Sequence, residues 1–220
     1  IQLPIGAEDK FRGIVDLVRQ RALVWSADAE APPAEEPVPP DMVEATRAAR
    51  EAMIEAAADQ DDALAEAFVE GRDISAEAIL TALRRGTIAC RIVPVLCGAA
   101  LRNRGVQPLL DAVVDFLPSP AELPPVRGTH PGTGHPEERT PSEAEPACAI
   151  VFKVQMMDQG RRMAYLRIYS GRVAAGDDLL NPRTGRREKI ARLLKIHANR
   201  RERIEKAGAG NIVAAMGLKE

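Results

Sequence analysis

The segment 121–145 decides most about how this chain can fold. It carries Pro124, Pro125, Pro131, Pro136 and Pro141 together with Gly128, Gly132 and Gly134, and its only larger apolar residues are Leu123 and Val126. Such a stretch cannot bury enough apolar surface to build a core, so it reads as an extended linker between two separately folded parts. Charge divides at the same place. Residues 1–120 hold 12 Lys and Arg against 20 Asp and Glu, residues 121–145 hold 2 against 5, and residues 146–220 hold 16 against 7. The overall net charge of −2 therefore conceals an acidic first part and a basic last part. Parts of opposite sign face different partners, and a basic module favours a polyanion.

Before the linker, residues 11–18 and 21–25 combine β-branched and aromatic residues around a short polar break, which predicts a hairpin behind an entering strand at 1–5. Residues 31–40 include Pro32, Pro33, Pro37, Pro39 and Pro40, so neither a helix nor a central strand fits there and a surface loop is expected. From Asp41 the composition turns to Ala, Glu, Arg and Met and predicts one long helix to about Phe68, capped by Asp41 and stopped at Gly71. Ser75 caps a second helix over 76–85, ended by Gly86. Residues 91–97 are a nearly continuous apolar run of strand length that breaks at Gly98, the pattern of a buried parallel strand entering a ligand loop. Over 107–117, Leu109, Leu110, Val113, Val114 and Leu117 recur at helical spacing, with Pro108 near the start and Pro118-Ser119-Pro120 as the stop. This strand, loop and helix belong to an α/β domain whose other strands lie outside the chain.

After the linker the period changes to strands, expected at 148–155, 163–169, 178–181, 187–196 and 212–216. Gly160, Gly171, Gly176, Gly185, Gly208 and Gly210 punctuate them, which argues for a small β-barrel. Cys90, Cys97 and Cys148 are odd in number and sit in apolar strand-like context, as reduced core thiols do. His130 and His135 lie in the Pro/Gly-rich stretch with no Cys partner and read as solvated loop histidines, so no metal is expected. The pairs Asp61-Asp62 and Asp177-Asp178 read as solvated charge on a helix and in a turn. No Ser/His/Asp set or activated Cys suggests itself, and His197 reads as a loop residue or an RNA contact. No run approaches the ~18 apolar residues of a membrane span, and the opening IQLPIGAEDK lacks the pattern of a signal peptide, so a cytoplasmic protein is expected. Both ends read as cuts in a longer chain.

Three stretches carry a resemblance. IQLPIGAEDKFRGIVDLV is similar to the opening of the subdomain that the elongation factor G family inserts into its nucleotide domain. RIVPVLCGAALRNRGVQPLLDAVVDFLPSP resembles the last strand, fifth guanine-nucleotide motif and final helix of that domain. YLRIYSGRVAAGDDLLN and KIARLLKIHANRRERIEKAGAGNIVAAMGLK resemble the second domain of translational GTPases. Their order and spacing match as well. The resemblance implies a partial α/β nucleotide domain with an α+β inserted subdomain over 1–120, the linker 121–145, and an all-β barrel over 146–220 that stops short of its closing strand. It implies a parent that hydrolyses GTP, with GTP and Mg as its cofactors, and drives tRNA–mRNA movement on the ribosome. This segment has no GxxxxGK[ST], DxxG or NKxD stretch, and alone it is expected to be inactive. Two alternatives keep the same residues: a paralogue of ribosome-protection or release factor 3 type, and a non-enzymatic RNA-binding barrel tethered to a helical interaction module.

The resemblance makes Gly98, Ala99, Ala100 and Leu101 a partial guanine-binding loop, whose backbone amides face the base oxygen once the glycine lets the chain turn. The family usually has Ser after the glycine, so Ala99 is a departure that removes a hydroxyl. Two surfaces complete the expectations. Arg183, Arg186, Arg187, Lys189, Arg192 and Lys195 are candidates to follow a small-subunit ribosomal RNA backbone. On one continuous helix at ~100° per residue, Glu51, Glu55, Asp59, Asp62, Glu66 and Glu70 share a face opposite Met53, Ile54, Ala57, Leu64 and Phe68. Almost no Lys or Arg at i, i+4 neutralises that stripe. In the family the inserted subdomain meets the large subunit's stalk protein, which makes Glu55, Asp59, Asp62 and Glu66 the candidate contact.

Overall fold

The structure is a computed structural model that describes residues 1–26, 28, 31–157 and 160–219. The chain forms two units, Ile1–Pro118 and Ser119–Glu220.

The first unit opens with an antiparallel meander of β1 (Gln2–Ile5), β2 (Gly13–Asp16), β3 (Arg21–Val24) and β4 (Ala34–Glu36), in that spatial order. Asp16 closes the β2–β3 turn, its carboxylate accepting hydrogen bonds from the amides of Val18 and Arg19 at 2.9 and 3.1 Å. The proline-rich segment, expected as a loop, contributes the short β4. As an outer strand flanked by Pro33 and Pro37 it tolerates the absence of their amide donors.

The long helix expected over 41–68 is two helices, α1 (Val43–Ala58) and α2 (Asp62–Val69). Asp61 makes the break. Its backbone is extended, and its carboxylate accepts from the amides of Ala63 and Leu64 at 3.0 and 3.1 Å, the bonds of a helix N-cap. Asp41 caps nothing: it lies in a 3-10 turn, Pro40–Met42, and α1 begins after Met42 without a side-chain cap. Ser75 does cap α3 (Ala76–Ile88), its hydroxyl accepting from the Ala78 amide at 3.2 Å. Gly86 does not end α3. It is buried in the last turn, where a Cβ would stand 2.7 Å from the Ile92 side chain, so glycine serves a close approach. The sheet and helices share a core that includes Val15, Leu17, Ala22, Met53, Ile54, Leu64, Ile79, Leu83 and Phe116. Arg50 crosses from α1 to hold the carbonyls of Leu17 and Val18 at 2.5 and 2.8 Å.

The strand expected over 91–97 is an extended segment without a ladder, because no neighbouring strand pairs with it among the described residues. Its side chains still alternate. Ile92 and Leu96 lean on the core, while Val93 and Val95 are 83% and 68% exposed. The helix that follows the loop is α4 (Val106–Phe116), which buries Ala112 and Phe116 and leaves Leu109, Leu110, Val113 and Val114 outward.

In the second unit, residues 121–145 are more than a linker: β5 (Val126–Thr129) and β6 (Pro136–Arg139) pair as a hairpin. His130 shapes its turn, Nδ1 accepting from the amides of Gly132 and Thr133 at 3.1 Å each. The β-strands that follow are β7 (Cys148–Met156), β8 (Arg162–Ser170), β9 (Arg172–Ala174), β10 (Asp178–Asn181), β11 (Arg186–Lys189), β12 (Arg192–His197), β13 (Arg200–Ile204), β14 (Lys206–Gly208) and β15 (Ile212–Met216). They make a five-stranded antiparallel sheet in the order β13-β12-β15-β8-β7 and two ribbons, β10-β11 and β14-β9. Leu166, Ile168, Val173, Ile190, Leu193 and Val213 fill the interior between them. The single strand expected over 187–196 is broken at Ile190. That residue is fully buried, and the chain there leaves the β10-β11 ribbon and joins the larger sheet.

Candidate functional site

Residues 98–105 form a loop with a closed neck. The Ala99 amide donates to the Arg104 carbonyl at 2.9 Å and the Arg104 amide donates back to Ala99 at 3.2 Å. Two glycines let the strands of the neck touch: a Cβ on Gly98 would lie 2.9 Å from the Arg104 carbonyl oxygen, and one on Gly105 would lie 2.5 Å from that of Cys97. Gly105 also takes φ +79° as it starts α4. Close approach, rather than a turn at Gly98 itself, is what this sequence needs glycine for.

Beyond the neck, Ala100–Arg102 is a 3-10 turn closed by Asn103 in the left-handed region. The first amides of such a turn have no carbonyl of their own to bond, so those of Ala100 and Leu101 are donors offered outward. The Leu101 side chain is fully exposed. The Ala99 amide, by contrast, is committed to the neck. Of the four residues expected in the loop, two thus present donors and two close it.

The small sheet holds the loop from behind. Cys97 and Ala99 pack on a cluster of Phe11, Ile14, Leu23 and Trp25. The Cys97 amide donates to Gln2 Oε1 at 3.0 Å, Arg102 Nη1 donates to the Asp9 carbonyl at 3.0 Å, and Arg104 Nη1 donates to the Phe11 carbonyl. Burial pushes the Cys97 thiol up from its ordinary range, which keeps it a poor nucleophile. The thiols are less buried than expected. Cys90 is exposed, Cys97 and Cys148 are half-buried, and all three are free.

The six basic candidates are all exposed, but they do not form one stripe. Arg183 sits in the β10–β11 turn, and Arg187 and Lys189 share a face of β11 that Arg186 does not, since strand side chains alternate. Arg192 and Lys195 belong to the other sheet and to opposite faces of β12. A further strand not expected from the sequence is β13, where Arg200, Arg201 and Arg203 lie exposed across from His197, Ile196 and Leu194. The dense arginine run from Asn199 was the available signal.

The acidic candidates divide with the helix. Glu55 lies on α1, Asp59 ends it, and Asp62 and Glu66 lie on α2, so the angular argument for one face holds only within each helix. All four are exposed. The stripe is also partly neutralised, because Arg72 reaches Glu66 at 3.5 Å and Glu70 at 2.5 Å. Glu55, Asp59 and Asp62 make no ion pair among the described residues. No group of three or more metal-ligating side chains occurs among the described residues, and no helix there is long and apolar enough to cross a membrane.

Comparison with known proteins covers both units. Residues 146–220 match the family model described as elongation factor G domain 2. Over its whole length the chain is 50% identical to elongation factor G 2 of Syntrophus aciditrophicus and 50% identical to elongation factor G 1 of Geobacter sulfurreducens. It is 53% identical to elongation factor G 2 of Geobacter metallireducens. The chain spans 32% of the length of each of these relatives. A crystal structure from Thermus thermophilus resembles 98% of the chain with a TM-score of 0.73 at 28% identity, over 29% of its own length.

Proposed function

From end to end this chain matches a fragment of elongation factor G, and from that premise we propose that it is the internal third of a cytoplasmic GTPase that couples GTP hydrolysis to tRNA–mRNA movement on the ribosome. Identity of 50–53% over the whole length of the chain carries the reading. Residues 1–120 then comprise the inserted subdomain and the end of the nucleotide domain, 121–145 join the domains, and 146–220 belong to the barrel domain.

The segment supplies the base end of the nucleotide site. The amides of Ala100 and Leu101 face the guanine oxygen, where an acceptor meets two donors at the start of a short helical turn. Phosphates and Mg are held by residues outside the segment, since it contains no phosphate-loop sequence. The test of this reading is ribosome-stimulated GTP hydrolysis by the full-length protein, with residues 1–220 alone inert.

The acidic residues of α1 and α2 are assigned to the large-subunit stalk protein, and the exposed Arg and Lys of β11 to β13 to small-subunit ribosomal RNA. Unpaired carboxylates at Glu55, Asp59 and Asp62 steer a cationic partner and act mainly on the rate of encounter. Changing Glu55, Asp59, Asp62 and Glu66 to Lys in the full-length protein is expected to slow association with stalk-bearing ribosomes several-fold at low salt, leaving thermal unfolding unchanged. Stopped-flow association at two salt concentrations reads this. Equal rates for both proteins at low salt would reduce the surface to ordinary solvated charge.

A further inference from the structure

The loop that presents the Ala100 and Leu101 amides has little packing of its own. Its tip carries a fully exposed Leu101, and its neck fixes only where residues 99 and 104 meet. Two long side chains leave it for the same short stretch of backbone: Arg102 Nη1 to the Asp9 carbonyl at 3.0 Å, and Arg104 Nη1 to the Phe11 carbonyl.

That stretch is a rigid anchor. It is a 3-10 turn, Glu8–Lys10, in which the Lys10 amide donates to Ala7 at 2.9 Å and the Arg12 amide to Ile5 at 3.0 Å. Gly6 enters it at φ +82°, packed so closely on the Lys10 carbonyl that no side chain fits. Phe11 is buried beside Trp25, and the Trp25 amide donates to the Arg12 carbonyl at 3.0 Å. The acceptors of both arginines are therefore set by the small sheet and not by the loop.

We propose that Arg104, assisted by Arg102, is a positioning residue for base recognition, tying the amide-bearing loop to the carbonyls of Phe11 and Asp9 so that the inserted sheet sets where those amides stand. The proposal rests on the reading of Ala100 and Leu101 as base-facing donors. A guanidinium bonded to a carbonyl gives a charge-assisted tie, stronger than a neutral hydrogen bond and directional through its planar fork. Guanine recognition by backbone donors needs such fixing, because an amide moved by an ångström no longer meets the base oxygen.

The experiment compares, in the full-length protein, the affinity for GDP with that for 2-aminopurine riboside diphosphate, which lacks the base oxygen and with it the N1 proton, and reads how each substitution changes that discrimination. Arg104→Met keeps the apolar stem and deletes the donors. It is expected to weaken GDP binding about tenfold while leaving the analogue unchanged, the size expected when one hydrogen bond from a displaced loop amide to the base is lost. Arg104→Lys, still able to donate to one carbonyl, is expected to recover most of the discrimination. Ala100→Pro tests the underlying reading separately. Proline suits the first position of a helical turn, and Ala99, at φ −129° and ψ 82°, already lies outside the α region that a following proline disfavours, so the substitution removes one donor from the loop. Loss of discrimination in both Ala100→Pro and Arg104→Met supports the proposal. Discrimination abolished only in Ala100→Pro keeps the base-facing loop and overturns the role of Arg104. Discrimination kept by both overturns the reading and the proposal together. If Arg104→Met weakens both nucleotides equally and lowers the melting temperature, Arg104 is structural only and the proposal fails.

Discussion

Gly105→Ala is expected to cost the first unit more than about 3 kcal/mol and to abolish guanine-nucleotide binding by the full-length protein, because two penalties fall on one residue. At φ +79° an alanine pays roughly 1–2 kcal/mol for a left-handed backbone. Its Cβ would also stand 2.5 Å from the Cys97 carbonyl oxygen and 2.8 Å from the Gly98 Cα, and a rotamer change cannot relieve a clash with backbone. The neck must open, and with it the two bonds between residues 99 and 104. Gly71→Ala separates the two effects. It has φ +67° and nothing within 4 Å of a Cβ, so only the backbone penalty of roughly 1 kcal/mol applies. Chemical denaturation of both variants reads the difference. Equal costs at the two positions would mean that the neck yields and is not what holds the loop.

Reversing Arg183, Arg187 and Lys189 to Glu is expected to lower affinity for small-subunit ribosomal RNA by on the order of 100-fold at moderate salt, since each phosphate neutralised by a basic side chain releases a counterion. Arg187 and Lys189 share a face of β11 and Arg183 stands at its turn, so the three belong to one ribbon. The plot of log affinity against log salt should flatten by about 2 to 3, roughly 0.7–0.9 for each phosphate no longer neutralised. A matching set on β13, Arg200, Arg201 and Arg203, tells whether the RNA surface extends along that edge of the sheet. Charged edge strands also occur merely to prevent edge-to-edge pairing. An unchanged slope in both sets would assign these arginines to that role.

Local signals served where an element depends on its own residues. The strand expected over 178–181 has the bounds found, and Ser75 caps the helix it was expected to cap. Failures arose where a distant or competing partner decides. Ala- and Glu-rich periodicity runs through Asp59–Asp62 without interruption, yet the Asp61 carboxylate bonds the backbone better as a cap than it serves as surface charge, and the helix breaks there. Residues 91–97 have every property of a buried strand except a paired neighbour among the described residues, and Val93 and Val95 face outward. Ile190 looks like one more apolar residue in a strand, but it is the point at which the chain changes sheets. The arginine ties of the loop were illegible for another reason. Their acceptors are backbone carbonyls 93 residues away in sequence, and a carbonyl leaves no mark in the residue type that carries it.

Translocation activity is read with the full-length protein on programmed ribosomes, following GTP hydrolysis and the position of the mRNA in the same reaction. Ribosomes are expected to accelerate hydrolysis by orders of magnitude and the mRNA to advance by one codon, while residues 1–220 alone neither bind GTP in calorimetry nor move the message. Ribosome-independent hydrolysis without mRNA movement, or micromolar GTP binding by residues 1–220, would contradict these expectations.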